Sequence, residues 1–426
     1  MIKYFKDLKL LQNTIYIRKH SKNLSLYLVA SFITPFFGII INPFLAINLT
    51  PEDYAIIGFF NSFNMLISPI LSFSLISYYS RNYFRIKESD RQITLNTLVV
   101  SQLIIGFVGL IIVLIGFFIY VEITNVNFPF YPYAILCFLP IFLNCFYSLF
   151  LVEKRMKKQA FSFLKVVSIN AILSTLFAIL FVVILKRGAI GRFLSVLIPA
   201  IFLGFFSFFS LLSRFQFNLK IFKEAISFGW PISLSAILYY FLTGIDRVFL
   251  EQINDITTLG YYNVAIQITG YLYIFYSALI QTFEPDIYKA ISENKRIRVF
   301  KIVIGIIALN ALPVIIFILF ANPVVRILTF GRYMASVKFT QILAIKNIAI
   351  SFCFLISDVI IGYGYPKVEL TNRIIGAGLS IISFKILIDK FGFYGAAWGQ
   401  TIAFLIMTLI SGSFVTYKIL VRKGEK

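Results

Sequence analysis

Runs of about twenty apolar residues recur along the chain at nearly regular spacing, separated by short charged clusters, and this feature decides which solvents the fold can face. A bilayer core about 30 Å thick takes roughly 20 apolar residues per helix, because lipid offers no hydrogen-bond partner to an open backbone. A transmembrane barrel would show short alternating strands; unbroken runs such as 106–120 and 169–185 read as helices instead. Charged residues make up only 13% of the 426, against about 25% in a soluble domain.

Taking the apolar stretches between charge clusters predicts spans at 24–48, 54–79, 94–120, 130–151, 163–185, 189–212, 229–250, 258–281, 299–320, 337–361, 368–388 and 393–417. The expected fold is therefore an all-α integral membrane protein of about 12 transmembrane helices. With the N-terminus placed in the cytoplasm, 29 of the 39 Lys and Arg fall in cytoplasmic segments, 9 in outer ones, and Lys346 lies alone within a span. Basic residues near span ends are retained on the cytoplasmic side, so both termini are expected inside. The net charge of +21 follows from the same bias and needs no nucleic-acid partner.

Several classes of chemistry lack their residues. The single histidine, His20, lies in a basic N-terminal segment, and Cys137, Cys145 and Cys353 all fall inside apolar runs, which leaves no disulfide framework and no Cys/His metal site. There is no G-x-x-x-x-G-K-[ST] element for nucleotide phosphates, and no cofactor is implied. The outer connections are short and carry no histidine or acidic pair for acid–base work, which argues against an enzyme such as an O-antigen polymerase.

The chain also repeats itself. Asp53 followed by Gly58-Phe59-Phe60-Asn61 matches Asp255 followed by Gly260-Tyr261-Tyr262-Asn263 at an offset of 202 residues. Gly188-x-x-Gly191 entering span 6 matches Gly392-x-x-Gly395 entering span 12 at an offset of 204. Agreement in offset and in place predicts a six-plus-six duplication: two lobes related by a pseudo-two-fold axis along the membrane normal, enclosing a central cavity. The expected organisation is a basic interfacial segment at 1–23, an N-lobe at 24–212, an amphipathic linker helix at 213–228, a C-lobe at 229–417 and a cytoplasmic tail at 418–426.

FKEAISFGWPISLSAIL (222–238), GIDRVFL (244–250), LGYYNVAIQITG (259–270), FEPDIYKAISE (283–293), VVRILTFGRYMAS (324–336) and FGFYGAAWGQTIA (391–403) stand in order across the second half. In order and spacing they resemble Wzx-type O-antigen flippases, the polysaccharide transporter branch of the superfamily that also holds MATE multidrug exporters and the MurJ lipid II flippase. A MurJ relative would usually carry fourteen spans, and twelve are found here. The resemblance implies a flippase that moves undecaprenyl-pyrophosphate-linked oligosaccharide units to the periplasmic face. It also implies a polysaccharide polymerase and a chain-length regulator as partners. A MATE-like exporter of amphipathic cations is the alternative within transport.

Ionisable groups at membrane depth are costly and become functional candidates by default. Lys346, with no carboxylate in helical reach, is expected to face the cavity and meet a substrate anion. Arg247 beside Asp246 corresponds to the Asp-Arg pair of the family's seventh span, and its fork suits a phosphate. Arg373 is the third cation of the expected substrate path, while Asp358 and Glu369, in the inner turns of spans 10 and 11, are candidates for ion coupling or gating, with an inner-leaflet salt-bridge cluster as the plainer reading. Prolines within the spans, Pro69 and Pro231 among them, predict kinks, and Tyr239, Tyr240, Tyr271 and Tyr273 could stack sugars.

Overall fold

The computed structural model describes residues 26–27, 29–363 and 365–415; the basic N-terminal segment 1–23 and the tail 418–426 lie outside them. Among the described residues the chain is helical throughout, and ten helices are long and apolar enough to cross a membrane. The first is α1, Val29–Asn48. It is followed by α2 (Pro51–Ser62), α3 (Asn64–Ser72), α4 (Leu75–Asn82), α5 (Glu88–Thr124), α6 (Tyr133–Met156), α7 (Ala160–Ala178) and α8 (Gly188–Leu211). The second half comprises α9 (Leu219–Thr243), α10 (Asp246–Glu251), α11 (Ile256–Ser292), α12 (Arg296–Leu319), α13 (Ala321–Thr329), α14 (Val337–Gly362) and α15 (Pro366–Phe414).

Three elements depart from the expected spans. The second span is not one helix: α2 and α3 adjoin at Phe63, whose backbone stays in the right-handed helical region, and α3 and α4 are separated at Phe73 and Ser74, which both take left-handed backbone conformations (φ 45° and 51°). The break frees backbone groups that lipid could not satisfy, and one of them, the Leu71 carbonyl, accepts from Gln102 Nε2 at 2.8 Å; the Ser74 and Ser233 hydroxyls, 2.9 Å apart, tie the break to α9. Gly229 of α9 lies against this break, where a Cβ would stand 2.3 Å from the Phe73 carbonyl oxygen.

The linker is likewise not a separate amphipathic helix. Residues 212–218 are non-helical, and α9 starts only where the Asn218 side chain accepts from the backbone N–H groups of Lys220 (3.0 Å) and Ile221 (3.3 Å). Nothing then breaks the helix until it ends at Thr243, so the second half of the linker is the first part of span 7. Spans 11 and 12, finally, join in α15 through a single non-helical residue, Gly392 (φ 54°).

That glycine has a counterpart. Gly188, at the start of α8, also has φ 54°. The second glycine of each pair lies on the backbone of the preceding segment: a Cβ on Gly191 would meet the Phe181 carbonyl oxygen at 2.7 Å, and one on Gly395 the Leu387 carbonyl oxygen at 1.9 Å. Both G-x-x-G elements thus place one glycine at positive φ and a second where close packing excludes any side chain.

The two Asp…Gly-aromatic-aromatic-Asn elements face each other, since α2 and α11 pack together. A Cβ on Gly260 would fall 2.1 Å from the Pro51 carbonyl oxygen, and one on Gly58 would fall 1.9 Å from the Asn263 side chain. Asp53 of the first element closes the capping box with Thr50 at the start of α2 and also accepts from the Ala189 backbone N–H at 2.7 Å, which ties α2 to the start of α8.

Candidate functional site

Between the first-half helices α1, α2, α3 and α8 and the second-half helices α10 and α11 lies a cavity of about 260 Å³. Leu45, Leu49, Ile57 and Met65 give it an apolar wall, and polar groups reach it from Tyr54, Asn61, Ser62, Arg192, Arg247, Asn263 and Gln267. Asn61 and Asn263 are the equivalent asparagines of the internal repeat, so the duplication delivers one amide from each half to the same space. Among the described residues no carboxylate lines the cavity, whereas two guanidinium groups do, one from α8 and one from α10.

Arg247 is held from behind. Its Nη1 donates to the Thr243 carbonyl and, at 3.1 Å, to Oδ1 of Asp246, while its buried Nε has no partner among the described residues. Asp246 is fully buried, and its other oxygen accepts from Tyr262 Oη and from Gln400 Nε2, each at 2.6 Å. Gln400 Oε1 in turn accepts from Lys346 Nζ at 2.7 Å. One carboxylate thus joins α10, α11, α14 and α15, and a guanidinium that would be costly to bury alone is compensated on one side and left open to the cavity on the other.

Arg192 is bound more loosely. Its Nη1 donates to Ser195 Oγ at 3.1 Å, that hydroxyl donates back to the Arg192 carbonyl at 2.6 Å, and no Asp or Glu among the described residues forms an ion pair with it. It also lines a smaller cavity of about 100 Å³ within the first half, where Asn61, Asn64 and Asn144 are its polar neighbours.

These placements correct part of the sequence reading. Lys346 does not line the cavity; it supports Gln400 and, through it, Asp246, because a long side chain on α14 finds its partner on α15 before it reaches the space beside α10. Asp246 does not line the cavity either, and its three neighbours account for both of its oxygens. Arg373 pairs with Glu369 one turn earlier on α15 at 2.8 Å, and Asp358 lies within electrostatic reach of Glu284, Glu369 and Arg373. That group is separate from the cavity and is an acidic cluster with one cation, close to the plainer reading of a salt-bridge cluster. Tyr240 is buried and stacked on Phe63, with 5.8 Å between ring centroids, and is not free to meet a sugar.

The sequence reading missed Arg192, Gln400, Tyr262 and Gln267. Arg192 was legible as a charge three residues into span 6, but it counted as an outer-side interfacial charge. Asn61, Asn263 and Tyr262 stood in the repeat motifs themselves. Gln400, inside FGFYGAAWGQTIA, carried no charge to mark it.

Comparison with known proteins now bears on this arrangement. The polysaccharide biosynthesis protein family matches residues 21–289, which is more than half of the chain and includes Arg192, Arg247 and both repeat elements flanking the cavity. The chain belongs to that family. A membrane protein of Methanocaldococcus jannaschii is 27% identical over 216 residues, 48% of this chain and 47% of the relative, so the chain spans about half the length of that relative. An Lsg locus protein of Haemophilus influenzae is 24% identical over 283 residues, 64% of this chain and 67% of the relative.

Among solved structures, the lipid II flippase MurJ in an inward closed conformation superposes with a TM-score of 0.73 over 92% of this chain and 87% of its own, at 14% identity. An inward-facing MATE multidrug transporter superposes with a TM-score of 0.74 over 94% of this chain and 99% of its own, also at 14% identity. The family member thus has the all-α, multi-pass membrane fold of the MurJ and MATE proteins. Among the described residues no group of three or more His, Cys, Asp or Glu is arranged to hold a metal ion.

Proposed function

We propose that this chain turns polyprenyl-pyrophosphate-linked oligosaccharide units from the cytoplasmic to the periplasmic face of the inner membrane by alternating access. The observation that carries the reading is the cavity between the halves, lined by Arg192 from one and Arg247 from the other and by no described carboxylate. A pyrophosphate needs positive charge on its way through a medium that strongly disfavours it. Guanidinium groups bind phosphate oxygens bidentately, and asparagine and glutamine amides suit hydroxyl-rich sugars. The polyprenyl tail stays in lipid throughout and asks nothing of the cavity.

In this reading the chain has twelve spans in two six-helix lobes, 24–212 and 219–417, the second beginning with α9, with pseudo-two-fold symmetry and both termini in the cytoplasm. The shared positive φ of Gly188 and Gly392 supports the duplication. Asp358 and Glu369, with Arg373 as counter-charge, couple the transition to an ion or gate it. Lys346 and Asp246 act through Arg247 by fixing its position. A polymerase and a chain-length regulator receive the product. A cationic drug as cargo is the weaker reading, because two guanidinium groups would repel it.

The test is complementation of a deletion strain with Arg192→Gln, Arg247→Gln and the double variant. Surface polysaccharide should fall and the lipid-linked intermediate should accumulate, with membrane abundance of the protein near normal. Full surface display by the double variant would overturn the proposal.

A further inference from the structure

The transport cavity is not the only space between helices that a membrane lipid could enter. A second one, of about 270 Å³, lies between α12, α14 and α15, and it shares no lining residue with the first. Val299, Val303 and Ile307 form one wall at four-residue spacing, so they stand in line on one face of α12. Phe352, Ile356 and Val359 of α14 form the other. Gly412 of α15 presents no side chain to the groove, and Phe300 and Ile304 at its rim are 65% and 48% exposed, so the open side faces outward.

One end of this groove is strongly charged. Arg296 lines it, and the segment from Lys289 to Lys301 at that end carries five basic residues, Lys289, Lys295, Arg296, Arg298 and Lys301, against one acidic residue. That acid, Glu293, is taken up by Lys295 at 2.8 Å and Arg298 at 3.7 Å, which leaves the segment a clear excess of positive charge.

We propose that the groove holds one acyl chain of a resident anionic phospholipid, with the lipid phosphate at the basic turn between α11 and α12. The length fits: from Arg296 to Ile307 the helix rises about 16 Å, close to the hydrocarbon depth of one leaflet. Basic clusters at this level attract anionic headgroups. The occupant is not the cargo. The transport cavity touches α11 at Asn263–Gln267, and the basic turn follows Ser292, so about 38 Å of helix separates them and they belong to opposite faces of the bilayer. A headgroup held at one site cannot place its chain in the other.

Purified protein in detergent, titrated with phosphatidylglycerol or phosphatidylcholine and examined by native mass spectrometry, tests the site without reference to transport. The wild type should retain phosphatidylglycerol in preference to phosphatidylcholine. The double variant Arg298→Gln/Lys301→Gln, which alters only exposed side chains, should weaken retention about fivefold per cation removed. Gly412→Leu should abolish retention with every charge intact; an added Cβ there has ordinary room, 3.8 Å from Ile356 Cδ1, so the fold tolerates the start of the side chain that fills the groove. Equal retention of the two lipids by the wild type, or undiminished retention in both variants, overturns the proposal. Displacement of phosphatidylglycerol by a polyprenyl phosphate more readily than by phosphatidylglycerol itself overturns it too, and assigns the groove to the cargo's tail.

Discussion

Gln400 donates through Nε2 to the buried carboxylate of Asp246 at 2.6 Å, and the same amide accepts from Lys346 at 2.7 Å, so its orientation is fixed from both sides. Replacing it by leucine keeps the volume roughly and removes both bonds. Gln400→Leu should cost about 2–4 kcal/mol, since hydrogen bonds to charged groups contribute about 1.5–3 kcal/mol each and are only partly replaced by water here. Thermal unfolding in detergent measures this, and an unchanged melting temperature would remove Gln400 from the support of Arg247.

Lys346 should then behave as part of that support. Lys346→Arg should retain more surface display than Lys346→Gln, because an arginine can still donate to Gln400 Oε1 whereas a glutamine brings no charge toward Asp246. Display assays at matched protein abundance decide it, and equal display by the two variants would contradict it.

The two repeat glycines that face each other should differ in their tolerance. A Cβ on Gly260 meets the Pro51 backbone at 2.1 Å, which only separation of α2 and α11 can relieve, whereas one on Gly58 meets the Asn263 side chain, which can turn away. Gly260→Ala should cost about 1–3 kcal/mol, the usual range for overpacking, and Gly58→Ala less. Equal melting temperatures for the two variants would contradict the close approach of the helices.

Gly188 and Gly392 share φ 54° but not their surroundings. Gly392 has ψ −132°, outside the left-handed helical region and in territory essentially reserved for glycine, so alanine there bears a backbone cost of about 1–3 kcal/mol, and alanine at Gly188 bears a cost for its positive φ. At Gly188 the new Cβ also meets Asp53 Oδ1 at 2.5 Å, while at Gly392 nothing lies within 4 Å. Both variants should therefore lower the melting temperature, Gly188→Ala through the contact with Asp53 and Gly392→Ala through backbone strain alone, and an unchanged melting temperature for Gly188→Ala would sink this account of the α2–α8 junction.

Arg192 and Arg247 should respond to charge and to shape differently. Lysine keeps the charge and loses the planar fork, so Arg→Lys at either position should retain more transport than Arg→Gln and less than wild type. Losing charge-assisted bonds worth about 1.5–3 kcal/mol corresponds to roughly a ten- to hundredfold loss of affinity for the headgroup. Binding of a soluble pyrophosphate analogue to the purified variants measures it.

The apolar runs alone determined that the chain is helical and membrane-embedded, because backbone in lipid has few ways to satisfy its hydrogen bonds. The repeat was legible for a related reason. Gly58, Gly260, Gly188 and Gly392 occupy positions where a Cβ or a negative φ is not accommodated, and such constraints leave a mark on the sequence itself. What tertiary structure alone decided is which polar groups meet. Span 2 reads as continuous, yet it breaks at Phe73–Ser74, where Gln102 satisfies the freed Leu71 carbonyl and Ser233 holds the Ser74 side chain, both from other helices. Lys346 looks unpaired along its own helix and finds Gln400 on another, and Arg192 and Arg247, 55 positions apart, line one cavity because α8 and α10 meet across it. Periodicity is a property of a single helix and is written in order along the chain. The pairing of charges in a low-dielectric interior depends on how helices from both halves rotate and dock, and that is set by packing across the whole molecule.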